Sequence, residues 1–125
     1  MIDFQNASFL KLKQVSNESF ESFINPILIT GEKVLSTYQG LRDGVVFTDK
    51  RIIVINIQGI TGKKKDFTSL PYSKVQAYSV ETAGALDLDS ELELWFSGLG
   101  KVKLEFVSES NVSEICRVIS GFVLK

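Results

Sequence analysis

Lys63-Lys64-Lys65 is the only run of basic residues in the chain, and with Arg42 it offers a candidate patch for an anionic ligand or a lipid headgroup. The competing reading is a solvated edge or turn whose lysines discourage aggregation. One lysine beside an anionic membrane contributes only about 1 kcal/mol, so a few of them do not hold a monomer there. Repeated copies in an assembly would add by avidity. A second cluster, Asp87, Asp89, Glu91 and Glu93, alternates along the chain and so shares one face of an extended strand. Carboxylates can take Ca²⁺ or Mg²⁺, but neighbours on a straight strand splay along it, and no glycine-punctuated calcium loop accompanies them. A solvated acidic face, or pairing with lysines of a neighbouring subunit, is expected there, and no metal site. Thr61-Gly62-Lys63 lacks the longer glycine-rich pattern and the following helix of a phosphate loop. Trp95, expected on an outer strand face, either stacks under Lys103 or anchors an oligomer interface, where tryptophan is enriched.

Histidine is absent and cysteine occurs once. That excludes a Ser-His-Asp triad, a Cys-His pair, histidine metal ligands, an intramolecular disulfide and a cysteine zinc site. Cys116 sits on an apolar helical stripe with no activating neighbour, which points to the core rather than to a reactive thiolate. Spacing locates no opposed acid and base, so neither catalytic residues nor a cofactor are expected. Lys+Arg number 14 and Asp+Glu 15, a net charge of -1, so no global field draws nucleic acid or an anionic membrane, and any such contact must be local. The first residues lack a signal-peptide pattern, and apolar runs such as Ile52 to Ile55 fall far short of the ~20 residues a membrane span needs. A lone thiol suits a reducing compartment, and a cytoplasmic protein is expected.

The elements that must position these residues follow from periodicity. At 125 residues one domain is expected. Asn17 is a candidate helix cap, followed by Phe20, Phe23, Ile24 and Ile27 as one apolar stripe that Pro26 cuts short. Asn6 to Val15 is read as a second short helix. From Lys33 onward the pattern becomes strand-like. Ile52-Ile53-Val54-Ile55 is too apolar for a strand with one wet face and predicts cover on both sides. Lys63 to Leu70 reads as a polar edge strand, and Val75 to Thr82 as a further strand. Leu92, Leu94 and Phe96 alternate with polar neighbours, as do Val102, Leu104 and Phe106. A Gly98-Leu99-Gly100 loop would pair Phe96 with Val102 and Trp95 with Lys103. Arg42-Asp43 and Asp49-Arg51 are expected as turn ion pairs. Asn111-x-x-Glu114 resembles a capping box, and Val112, Ile115, Cys116, Ile119, Phe122 and Val123 form the apolar stripe of a last helix. Connections this short make the strands mostly antiparallel.

Short helices, about seven strands and a closing helix make the order of the pleckstrin-homology fold. Gly31-Glu32, Leu41 through Ile53, Gln58-Gly59-Ile60-Thr61-Gly62-Lys63-Lys64, Leu70-Pro71-Tyr72-Ser73 and Glu81 through Asp89 resemble, in order, the blocks of the bacterial pleckstrin-homology-like family. The resemblance implies a mainly β fold with helices: a partly open, antiparallel barrel capped by the C-terminal helix. Residues 1–30 would be a helical extension packing on the domain or on a neighbouring subunit, and residues 31–125 the domain itself. It also implies self-association into a ring-like homo-oligomer, no catalytic machinery and an unassigned molecular role. Eukaryotic relatives bind phosphoinositides through several basic residues of the first hairpin loop. This chain departs from them there, offering only Arg42 beside Asp43. The function expected is a non-enzymatic binding or scaffold module that self-assembles and meets a protein partner. The alternative is binding of an anionic ligand or membrane surface through Arg42 and Lys63, Lys64 and Lys65.

Overall fold

The computed structural model describes residues 1, 3–4, 9–82, 84, 89–107 and 111–125. Its strands are β1 (Phe9–Val15), β2 (Val34–Gln39), β3 (Gly44–Thr48), β4 (Arg51–Gln58), β5 (Lys64–Pro71), β6 (Val75–Glu81), β7 (Ser90–Phe96) and β8 (Gly100–Phe106). They form one eight-stranded sheet in the order β5-β4-β3-β2-β1-β8-β7-β6. Among the described residues two helices accompany it, α1 (Glu21–Ile24) and α2 (Val112–Val123), with a 3-10 turn at Tyr72–Lys74. The sheet is open, with β5 at one edge and β6 at the other.

The helix expected over residues 6–15 is corrected: Phe9–Val15 is a strand, antiparallel to β2 and parallel to β8. Leu10-Lys11-Leu12-Lys13 alternates with period two, the strand signature. Leu12 is buried and Lys13 exposed. The parallel pairing needs no tight turn, because the whole sheet lies between β1 and β8 in the chain. Lys11 takes a positive φ of 59° where the register shifts between Phe9 and Leu12. The remaining pairs are antiparallel, as the short connections require.

One face of the sheet carries the main core. Leu12, Tyr38, Val45, Phe47, Ile52, Val54, Leu92, Leu94, Val102, Leu104 and Phe106 pack there, and Ile115 and Ile119 of α2 close over them. Asn111 Oδ1 accepts the Glu114 amide at 3.1 Å, so the expected cap is in place. Phe122 stacks on Tyr72 with ring centroids 4.9 Å apart. The opposite face of β3 and β4 is apolar too: Val46, Ile53 and Ile55 are buried by Phe20 and Ile24, with Phe23, Ile27 and Leu28 around them. This is the two-sided burial that the Ile52 to Ile55 run predicts. Phe20 lies so close to the sheet that a Cβ on Gly44 would stand 2.6 Å from its ring. Asn17 does not cap α1; its Oδ1 accepts from the Thr37 hydroxyl at 3.2 Å, tying the segment to β2.

The second layer is locked by a buried carboxylate. Arg51 Nε donates to Glu32 Oε2 at 2.9 Å and Arg51 Nη2 to Glu32 Oε1 at 2.9 Å, a two-pronged pair. The Thr48 hydroxyl donates to the same carboxylate at 2.6 Å, and the Ile29 amide at 3.1 Å. Arg51 also reaches the Ile27 carbonyl and the Ser69 hydroxyl, both at 2.8 Å. Arg51 thus does not pair with Asp49, as expected, but with Glu32. Asp49 Oδ1 instead accepts the Lys33 amide at 3.0 Å.

Burial pushes the Glu32 carboxyl up, but the Arg51 and Thr48 hydrogen bonds outweigh it and hold the pKa below its ordinary value. A folded-state pKa below the unfolded one contributes stability above the unfolded value and loses it as pH falls through the folded value. Arg51→Met leaves the carboxylate buried without its partner, and urea titration at neutral pH should show a loss of about 3–5 kcal/mol. Glu32→Gln should lose less and flatten the acid side of the stability curve.

Candidate functional site

The β2–β3 and β4–β5 turns lie side by side at one end of the sheet. Gly40 N donates to the Asp43 carbonyl at 2.9 Å, a tight turn that lifts Leu41 and Arg42 outward. Gly59 and Gly62 have φ of 77° and 69°, a left-handed backbone that a side chain would strain. They raise Ile60 on the neighbouring turn. The two turns are bridged: Arg42 Nη2 donates to the Gly59 carbonyl at 2.8 Å, and Asp43 Oδ1 accepts the Ile57 amide at 3.0 Å. The expected Arg42-Asp43 ion pair is thereby replaced by two contacts across the turns.

The four sequence-predicted cations do not form one patch. Arg42, Lys63 and Lys64 are exposed beside these turns. Lys65 follows Lys64 on β5, and successive strand residues point to opposite faces. Its ammonium lies 4.7 Å from the Phe23 ring centroid, over the second layer. β5 is an edge strand, as its lysines suggest. Sequence reading missed Leu41 and Ile60, which are 101% and 105% exposed at the two turn tips. Lys13 is paired in register with Gln39, one residue before the first turn, and is exposed. Lys11, Lys13 and Leu41 border a shallow hollow of about 510 Å³ with Gln39, Gly40 and Val107.

Trp95 is 36% exposed on β7, on the face opposite the main core. The hairpin register differs from expectation by two residues. Phe96 pairs with Gly100 and Leu94 with Val102, so Trp95 stands opposite Lys101, not Lys103. The loop is Ser97-Gly98-Leu99, and both Gly98 and Gly100 take positive φ. A shift by two keeps every side chain on its face, so the hydrophobic pattern alone cannot separate the two registers. On its other side Trp95 faces Ala77 of β6.

The acidic strand face is satisfied within the chain. Lys101 pairs with Glu93 at 3.0 Å and Lys103 with Glu91 at 3.1 Å. The Glu91 hydrogen bond holds the Lys103 ammonium above its ordinary range. Asp89 is bonded by Lys11, and Asp87 lies outside the described residues. Among the described residues no group of three or more metal-type side chains converges, and no helix is long and apolar enough to cross a membrane. Cys116 is half-buried on α2.

The fold is shared with known proteins. The family model of the bacterial PH domain matches residues 3–123. The chain belongs to the bacterial PH domain family. It is 44% identical over 118 residues to the uncharacterized protein YjqA of Bacillus subtilis (strain 168), covering 93% of this chain and 90% of that protein. The crystal structure of a DUF1696 family protein with a pleckstrin-homology domain from Shewanella loihica PV-4 superposes with a TM-score of 0.80 at 36% identity, covering 91% of this chain and 98% of that one. A pleckstrin homology domain from Shewanella amazonensis SB2B gives a TM-score of 0.69 at 37% identity, covering 96% of this chain and 94% of that one.

Arg42 organises the site through an exposed hydrogen bond, so Arg42→Ala should cost at most about 1 kcal/mol in global stability. Amide exchange of residues 59–63 should nevertheless accelerate, read by mass spectrometry on the native protein.

Proposed function

We propose that this bacterial PH domain is a non-enzymatic scaffold that self-associates through the β6 edge and the adjoining Trp95 face. The observation that supports the reading is the contrast between the two edges. β5 carries Lys64 and Lys65 and ends at Pro71, features that blunt an edge. β6, Val-Gln-Ala-Tyr-Ser-Val-Glu, carries neither lysine nor proline and, among the described residues, leaves one row of backbone donors and acceptors without a strand partner in the sheet. Beside it, exposed Ala77 and half-exposed Trp95 give a small apolar strip on an otherwise charged face.

Two geometries follow from an open edge. β6 against β6 is isologous and stops at a dimer. β6 against β5 of the next copy is heterologous and closes into a ring if the rotation allows. The blunted β5 edge disfavours the second arrangement, so β6 against β6 is the pairing the edges support better. Either assembly presents repeated copies of the turn end of the domain, which is how a scaffold gathers weak contacts into a firm one.

Size-exclusion chromatography with light scattering at two concentrations tests this. The expected result is a discrete multiple of 13.9 kDa that survives dilution and falls to a monomer in Trp95→Glu and in Ala77→Lys. A monomeric wild-type protein, or a multimer that both variants leave intact, overturns the reading.

A further inference from the structure

We propose that the cavity between β2 and the first turns of α2 is a binding site for a primary amine, whose ammonium group meets Glu114 and whose alkyl body lies against Phe47 and Ile115. The site is separate from the β6 edge, so it does not rest on the self-association reading.

The sheet leaves this space open by its own sequence. Val34 pairs with Thr48 and Ser36 with Phe47, so Leu35 is an extra residue on β2. Such a bulge re-aims the side chains around it. Ser36 thereby shares the core face with Phe47, and Gln14, paired with Tyr38, shares it on β1. Two residues along each strand the same face carries the buried Tyr38 and Leu12. The face thus changes from large apolar to polar side chains where α2 begins, and the helix spans the gap without filling it. What remains is a hollow of about 450 Å³, within the range of small-molecule sites.

Phe47, Ile115 and Val118 give the hollow apolar walls. Tyr38 also lines it; this side chain is 2% exposed and is held edge-on by Phe47 and Phe106. Burial raises the pKa of its phenol, the Ser36 hydrogen bond opposes the rise and the Glu114 charge adds to it. Ser36, Tyr38 and Glu114 therefore converge on one space.

Charge selects the ligand. Among the described residues Glu114 is the one charged side chain of the lining, and no lysine or arginine joins it. Arg117 stands 3.8 Å from the Glu114 carboxylate, but both are exposed, and such a pair is weak. A helix start ordinarily favours an anion. Here Asn111 Oδ1 already accepts the Glu114 amide, and the Glu114 carboxylate occupies the first turn. An anion would meet that carboxylate. An ammonium would be paired by it, with the Ser36 and Tyr38 oxygens as further acceptors.

Hexylammonium, hexanol and hexanoate share a body and differ in the head group, and NMR titration of the wild-type protein at neutral pH compares them. Hexylammonium should bind most tightly and hexanoate not at all, with amide shifts centred on residues 36–38 and 114–118. Glu114→Gln keeps the shape and should weaken hexylammonium about tenfold or more, the scale of one charge-assisted hydrogen bond, while leaving hexanol unchanged. Ser36→Leu fills the hollow and should abolish binding of both without lowering the melting temperature. Glu114 is exposed, so its variant remains a test even if Ser36→Leu does not fold. Nα-acetyl-lysine methylamide separates two sources of the ammonium group: its binding extends the site to a lysine side chain of a protein, and its failure restricts the site to free amines. No binding of hexylammonium, hexanoate binding as well as hexylammonium, hexylammonium binding that Glu114→Gln leaves intact, or shifts confined to the Glu91 and Glu93 face would each overturn the proposal.

Discussion

Strands β3 and β4 are apolar on both faces, and a sheet of that kind has to be covered twice. α2 and the facing strands cover the first side. The second is covered by a short stretch whose only helix has four residues, too short to be stable without packing. The Glu32–Arg51 pair supplies the constraint. It joins the end of that stretch to the start of β4, while Arg51 holds the Ile27 carbonyl and Thr48 gathers the turn between β3 and β4. Removing two charges from water is costly, and this pair is tolerable because both carboxylate oxygens and most guanidinium hydrogens find partners. Tyr72 extends the same knot, donating to the Thr48 carbonyl at 2.7 Å; burial, aided by Asp49 and Glu32, pushes its phenol well above the usual range.

From that knot the rest of the molecule follows. The second layer reaches across β3, β4, the start of β2 and the near part of β5. Over β6, β7 and β8 the same face is left to a ladder of Glu91, Glu93, Lys101 and Lys103 around Trp95. The far edge, β6, has Tyr78 bonded to Ser120 of α2 at 2.7 Å on its inner side and open backbone at its rim. A fully covered half and an open half give the domain its polarity, and the turns that carry Leu41 and Ile60 lie at the end of the covered half, where the Arg42–Gly59 hydrogen bond ties one to the other.

Much of this was legible in the sequence, and the failures have physical causes. Ile52 to Ile55 announced two-sided burial, Lys64 and Lys65 announced an edge, and Asn111 announced a helix start, because each is a local signal with one structural solution. Phe9 to Val15 was misread because Phe9, Leu10 and Leu12 also suit a short helix, and only the pairing with distant β8 decides. The hairpin slipped by two residues because parity, not register, is what alternation records. Lys63-Lys64-Lys65 looked like one patch, yet a strand sends neighbouring lysines to opposite faces. Glu32 and Arg51 gave no sign of each other; they meet only once β3 has turned back on β2. Leu41 and Ile60 were overlooked because an apolar residue between glycines and cations looks the same whether its tip is folded in or held out.

The central claim is that the chain seals its own two-sided strands and leaves β6 open for another copy. Amide hydrogen exchange on the wild-type protein and on Trp95→Glu tests it most directly. β3 and β4 should exchange slowest in both, while the β6 amides should be protected in the wild-type protein and fast in Trp95→Glu. Exchange in β6 that is the same in the two proteins, or β3 and β4 exchanging as fast as β6, would contradict the account.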